Sequence, residues 1–241
     1  MLKHSTMKHR YLLFFASVLL ALPLNAQRTK GRDALWATQL QQYVDSNGKV
    51  NYAAWKKKSK LLDDYIQVLQ EQPPHDQWSK AEHLAYWINA YNALTVQLIL
   101  KYYPLNSIQD IRKPWEQIVF RVKEQNYTLN AIEHQVLRKM DEPRIHFAIN
   151  CASASCPKLA QKPYTAINLE AELQAATQAF LCDPEKNILT AEKVQLSKIF
   201  LWFAEDFGSK KERLEWLSKQ TGLELTQARV RYLKYDWSLN D

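Results

Sequence analysis

The stretch SKAEHLAYWINAYNALTVQLILKYY, residues 79–103, decides the fold. Ser79 with Glu82 three positions on has the form of a capping box, and Pro104 closes the far end. Between these stops Leu84, Trp87, Ile88, Tyr91, Leu94, Thr95, Leu98 and Ile99 make an apolar band too broad for a surface helix. A long helix buried in the middle of the domain is therefore expected. Asn89 and Asn92 lie three apart on one side of it, and Asn is a poor helix-interior residue. Two buried amides need partners. They can orient a catalytic group or stabilise an oxyanion, or they can simply bind backbone and loop turns.

Outward from this helix, residues 34–43 and 53–70 read as helices on the N-terminal side. On the C-terminal side, 118–122 and 126–129 read as a hairpin, followed by a helix from Asn130 to Met140 capped by Asn130 with Glu133 as its reciprocal partner. Strict alternation predicts a strand over Arg144 to Asn150, with Ile145, Phe147 and Ile149 on one face and Arg144, His146 and Asn150 on the other. Further helices over 169–181, 199–207 and 212–221, two short strands within 188–196 and a closing strand over 230–237 complete the pattern. The expected class is α+β, a single domain with a long buried central helix and a small antiparallel sheet.

The N-terminus reads as a secretory signal over residues 1–26: a basic head (Lys3, Lys8, Arg10), the apolar run Tyr11 to Leu24, and Leu24-Asn25-Ala26 as the exit. The run is shorter than the roughly 20 residues that cross hydrocarbon. A periplasmic or secreted domain over 27–241 is expected, with no stable membrane span. Without the three basic residues of the head the formal charge falls from +7 to +4, which is no nucleic-acid signature. Lys56, Lys57, Lys58 and Lys60 read as a solvated face. The chain's only glycines, Gly31, Gly48, Gly208 and Gly222, stand apart, which excludes a P-loop, a dinucleotide fingerprint and a nucleophile elbow in their usual forms. No cofactor and no metal is expected. His146, Cys151 and Cys156 have an unfamiliar spacing for a metal site.

Chemistry concentrates in RIHFAINCASASCP, residues 144–157, where a rigid element runs into a small-residue loop bearing an imidazole, two thiols and two hydroxyls. Cys156 is a candidate nucleophile, His146 its base and Asn92 an orienting or charge-stabilising group. Cys156 is preferred to Cys151 because Pro157 marks a chain break that exposes it. Two Cys five positions apart in an exported chain can equally close a local disulfide, or lie buried and inert. Cys182 reads as a buried small hydrophobe near a helix end. Glu133, His134 and Arg138 form a second group, with His134 and Arg138 at i and i+4 and His134 as an alternative base.

Four stretches carry a resemblance: AYWINAYNALTV (85–96), LNAIEHQVLR (129–138), RIHFAINCASASCPKL (144–159) and RYLKYDWSLND (231–241). In this order the chain resembles the family called domain of unknown function 547, found in bacterial exported proteins and at the C-terminal end of some plant and animal proteins. The resemblance implies that Asn89, Asn92, Glu133, His134, Arg138, Arg144, His146 and the Cys151–Cys156 loop belong to one recurring pattern, whose simplest physical account is convergence on a single site. In its ingredients the chain is similar to papain-like and transglutaminase-like hydrolases. It departs from them in having no Cys on the central helix. Two readings of function result: a thiol-dependent hydrolase or acyl transferase acting on an amide or ester, or a non-catalytic periplasmic binding module. In the second, Cys151 and Cys156 form a disulfide and Arg138 and Arg144 grip an anionic small-molecule or peptide ligand.

Overall fold

In the computed structural model, which describes residues 29, 31–190 and 193–241, the central helix runs over Lys80–Tyr102. The expected signal segment 1–26 lies outside the described residues. Both halves of the capping box form, Ser79 accepting from the Glu82 backbone and the Glu82 carboxylate accepting from the Ser79 N–H at 2.7 Å. Every residue from Leu84 to Val96 is buried, so the wide apolar band did signal a helix enclosed on all sides.

We number the helices α1 (31–43), α2 (Tyr52–Lys56), α3 (Lys60–Glu71) and α4 (Lys80–Tyr102), with the break between α2 and α3 falling inside what the periodicity joined into one helix. Aromatic stacking fixes this layer: Trp36 lies on Tyr65 with ring centroids 5.1 Å apart, and Tyr43 on Trp55 at 4.9 Å. The hairpin β1 (Ile118–Val122) and β2 (Gln125–Thr128) is antiparallel, and Trp87 of α4 packs on its Tyr127 at 5.0 Å.

The next helix, α5, differs from expectation at its start and in its pitch. It comprises a turn of α-helix (Leu129–Ala131), a π-helical stretch (Ile132–Leu137) and a 3-10 turn (Arg138–Met140). Thr128, in extended backbone, caps it by accepting from Ala131 N, whereas the Asn130 N–H donates to the Trp115 carbonyl at 3.0 Å. Glu133 is therefore released from the predicted capping role and faces inward. Wide π turns of this kind concentrate at functional sites.

The strand expected over 144–150 is instead a 3-10 helix, Pro143–Phe147, with Glu142 accepting from the Arg144 N–H. The alternation had another cause. Ile145, Ala148 and Ile149 pack into the core around α4, while Phe147 enters a second core with Phe180, Phe200 and Phe207. The segment is a wedge between two cores and is buried all round from Ile145 to Asn150, so no polar face exists.

The second core is built from α6 (Leu169–Leu181), α7 (Ile199–Trp202), a 3-10 turn (Ala204–Phe207), α8 (Lys210–Thr221) and a three-stranded sheet. In that sheet β3 (Ile188–Leu189) pairs antiparallel with β4 (Val194–Leu196), and β4 pairs parallel with β5 (Val230–Tyr232). The expected closing strand ends at Tyr232. Beyond it the chain doubles back over the cysteine loop, with Ala154 N donating to Ser238 O at 2.7 Å and Asn240 N to Ala152 O at 3.1 Å. Gly48, at φ +78°, lies so close to Lys158 that a Cβ there would stand 2.6 Å from the Lys158 Cβ. Cys182, expected to be buried, caps the C-terminus of α6 and is exposed. The protein is a mixed α+β single domain; a papain-like or transglutaminase-like arrangement is not confirmed. No helix among the described residues is long and apolar enough to cross a membrane.

Two amides tie α4 to segments far along the chain. Asn89 donates to Tyr164 O at 2.7 Å and accepts from Tyr164 N at 3.0 Å. Asn92 donates to Ala148 O at 3.0 Å and accepts from Asn150 N at 2.8 Å. Truncating either residue strands two buried backbone groups, each costing about 1–3 kcal/mol. Asn92→Ala is expected to destabilise the protein by about 2–4 kcal/mol. Urea denaturation measures this, and a loss below about 0.5 kcal/mol would show that the clamp is dispensable.

Candidate functional site

A cavity of about 270 Å³ lies where α5, the wedge with its cysteine loop, α7 and the C-terminal tail meet. Its lining includes the polar or sulfur-bearing side chains of Glu133, His134, His146, Cys151, Cys156 and Tyr91, and the aromatic rings of Trp115, Trp202, Phe203, Tyr235 and Trp237. The aromatic wall is continuous: Trp202 stacks on Trp237 at 5.6 Å, Tyr235 packs against Trp237 at 4.6 Å, and Trp115 meets Trp237 edge-on at 5.8 Å.

Asp206, on the 3-10 turn after α7, organises the polar side. Its Oδ2 lies 2.6 Å from His146 Nε2, and Arg138 donates to both of its oxygens at 2.6 Å. Burial alone would raise the Asp206 carboxyl, but hydrogen bonds from His146 and Arg138 outweigh it and hold the group far below the usual aspartate range. The remaining arm of Arg138 reaches His134 Nδ1 at 2.7 Å. His146 is held from its other side by Phe203, whose ring lies 4.0 Å away, centroid to centroid.

Burial lowers the pKa of His146, with Asp206 pulling the other way, and the balance favours the neutral ring. In that state Nε2–H donates to Asp206, which leaves Nδ1 as an acceptor. Nδ1 faces Glu133 Oε1 at 4.0 Å, while Tyr91 O–H donates to Glu133 Oε2 at 3.3 Å. Glu133 is 8% exposed. Burial pushes its carboxyl up to about 7, against the opposing pull of Tyr91 and Arg138. His134 is also shifted down, first by burial and then by Arg138.

The two cysteine sulfurs lie 2.23 Å apart, at disulfide bonding distance. The loop they close is fixed from within by Asn150, whose amide donates to Pro157 O at 2.7 Å and whose carbonyl accepts from Ala152 N at 2.8 Å. Ala152 sits at φ 63° in the left-handed region, a strained conformation for a residue with a Cβ.

Of the residues singled out from sequence, Glu133, His134, His146, Cys151 and Cys156 line the cavity, and Arg138 stands behind them through Asp206 and His134. Asn89 and Asn92 do not reach it; their amides are committed to backbone. Arg144 lies apart, paired with Glu142 and Glu170 at 2.7 Å. With Arg138 committed to Asp206, the two guanidinium groups do not form a pair open to an anion. No hydrogen bond joins His146 to either sulfur among the described residues; its ring nitrogens face Asp206 and Glu133.

Sequence reasoning missed Asp206, which is 60 residues from His146 and sits in an ordinary acidic stretch with no motif around it. It also missed Tyr91, read only as part of an apolar band. Tyr235 and Trp237 fell within the ending 231–241, whose resemblance was a usable signal. No group of three or more His, Cys, Asp and Glu side chains among the described residues is arranged to hold a metal ion.

Residues 75–181 match the family described as Protein of unknown function, DUF547. The matched span, under half of the chain, runs from the approach to α4 through the cysteine loop to the end of α6, and so includes Tyr91, Glu133, His146 and both cysteines. Asp206 and the Trp202, Tyr235 and Trp237 wall lie beyond it. No curated protein and no solved structure matches the chain.

The raised Glu133 carboxyl has a stability consequence of definite sign. A folded-state pKa above the unfolded value contributes stability that is complete below about pH 4.5 and is lost as pH rises through about 7. Glu133→Gln, neutral at all pH values, is expected to gain about 1–3 kcal/mol over the parent protein between pH 4 and pH 8. Denaturation curves of both proteins at those two pH values test this; a difference that stays constant would rule out a buried carboxyl titrating near neutrality.

Proposed function

We propose that the cavity is an acid–base catalytic site for a small, uncharged, flat-faced molecule, and that Glu133 moves the proton. The observation that carries this reading is the placement of Glu133: a buried carboxyl on the wall of an aromatic cavity, bonded to Tyr91 and backed by His146. A carboxyl titrating near 7 is present in both protonation states at neutral pH, as general acid–base catalysis requires. The reaction class it fits is hydrolysis of an amide or ester by water. The Glu133 carboxylate takes a proton from the attacking water and returns it to the leaving group. Asp206, through its bond to Nε2, fixes which nitrogen of His146 faces Glu133.

Charge argues for an uncharged substrate. Asp206 and Arg138 neutralise each other, burial shifts His146 toward the neutral form, and no cation remains directed into the cavity among the described residues. The same arrangement weighs against a cysteine nucleophile, since the sulfurs are at bonding distance and His146 serves other partners. Export on residues 1–26 belongs to this proposal, because an oxidising compartment suits the cysteine pair.

A second reading, a non-catalytic binding module, is favoured by that pair together with the aromatic wall. Hydrolysis of small neutral nitrophenyl esters and anilides by the purified protein separates the two. Turnover is expected to rise with pH through about 7, to fall roughly 100-fold in Glu133→Gln, and to survive in Cys156→Ser. Quenching of tryptophan fluorescence by the same compounds should persist in Glu133→Gln. Full turnover in that variant would overturn the assignment, and binding without turnover in the parent protein would leave the module.

A further inference from the structure

The Cys151–Cys156 pair closes a loop with only four residues between its ends, and short loops gain the least from cross-linking. The loop is already held by Asn150 and by bonds to the C-terminal tail, including Ser155 Oγ, which accepts from Asp236 N at 2.8 Å. Its need for a covalent brace is small. Its position is unlike that of a buried brace, because both cysteines line the cavity.

The two sulfurs are also unlike each other. Cys156 is 5% exposed, and polar groups converge on its Sγ: the Cys151 N–H donates at 3.0 Å, and the Ser153 and Tyr235 hydroxyls each lie at 3.3 Å. Ser153 also lies 3.1 Å from the Tyr235 oxygen, so it can donate there while Tyr235 donates to sulfur. Burial pushes the Tyr235 phenol up to about 12, which keeps its proton in place across the physiological range. Cys151 is half-buried and among the described residues receives no backbone N–H, its polar neighbours being the same two hydroxyls at 3.2 and 3.5 Å. Donors aimed at a sulfur stabilise the thiolate that forms there, and the sulfur whose thiolate is stabilised is the one that leaves.

We propose that this pair is a thiol–disulfide exchange site, at which a small thiol entering the aromatic cavity attacks Cys151 and displaces Cys156. The incoming thiolate forms a bond to Cys151 Sγ as the Cys151–Cys156 bond breaks, and the electron pair goes to Cys156 Sγ beneath the Cys151 N–H and the Tyr235 hydroxyl, which Ser153 supports from behind. A second thiolate then attacks the sulfur contributed by the first, releasing a small-molecule disulfide and the Cys151 thiolate. Two thiols lose two electrons to the protein, and their two protons end on Cys151 and Cys156. This inference does not rest on the role of Glu133.

The test uses the oxidised full chain and 2-mercaptoethanol, a small uncharged thiol, as the probe, without denaturant, quenched in acid, alkylated and mapped by mass spectrometry. The expected product carries mercaptoethanol on Cys151 and alkyl on Cys156. Tyr235→Phe removes one donor and is expected to slow opening of the parent disulfide about fivefold. In the Cys151→Ser background it should raise the pH midpoint of Cys156 alkylation by about 0.7 unit, a readout that loosened packing alone would not shift upward. An adduct that appears only in denaturant, or first on Cys156, overturns the proposal. So does a Tyr235→Phe alkylation midpoint that does not rise.

Discussion

The site depends on one side chain outside it. Asn92 holds Ala148 O and Asn150 N from the middle of α4, the most deeply enclosed element of the protein. Asn150 in turn spends its own amide on Pro157 O and Ala152 N. The chain of bonds therefore runs from the buried helix to the wedge and then to the cysteine loop, and each member is buried where an unmade bond is expensive. The 3-10 wedge places His146 on one side of this anchor and Cys151 on the other. Anchoring on a rigid helix gives a loop of small residues the positional precision that loops lack alone.

The wedge also explains why two cores make one site. Ile145 and Ile149 belong to the α4 core and Phe147 to the second, so His146 between them is carried to the seam, within reach of Asp206 from the second core and Glu133 from α5. The π-helical pitch of α5 has the complementary effect. It keeps Glu133 turned inward while His134 and Arg138 remain neighbours able to bond at 2.7 Å. Neither core by itself contains the acid, the base and the aromatic wall.

How much of this was legible depended on which interactions are local. The central helix, its capping box, the hairpin and the short strands rest on periodicity and on contacts a few residues apart, and they were read from the sequence. The pairing of the amides with backbone was one of two readings left open by their burial. The 144–150 segment was misread because alternation in a strand and insertion between two cores leave the same pattern in Ile145, Phe147 and Ile149. Glu133 was assigned to a cap because a capping box needs only spacing, whereas Thr128 won that role through its extended backbone. Asp206 had no local signature at all, since its importance lies wholly in partners 60 and 68 positions away.

The electrostatic design of the cavity leaves little charge to spare. Asp206 is balanced by Arg138, burial shifts both histidines toward the neutral form, and the paired cysteines do not titrate. Glu133 is then the group on which the charge of the cavity turns near neutral pH. Its influence extends across the space, because a charged Glu133 also helps to raise the Tyr235 phenol, after burial has raised it first. Tyr235 in turn touches both sulfurs. A thiolate formed at Cys156 would add negative charge beside that phenol and oppose ionisation of Glu133, since like charges in a low-dielectric cavity raise one another's pKa. The carboxyl and the disulfide are thus linked through Tyr235, and the oxidised pair is the state in which Glu133 most easily carries its charge.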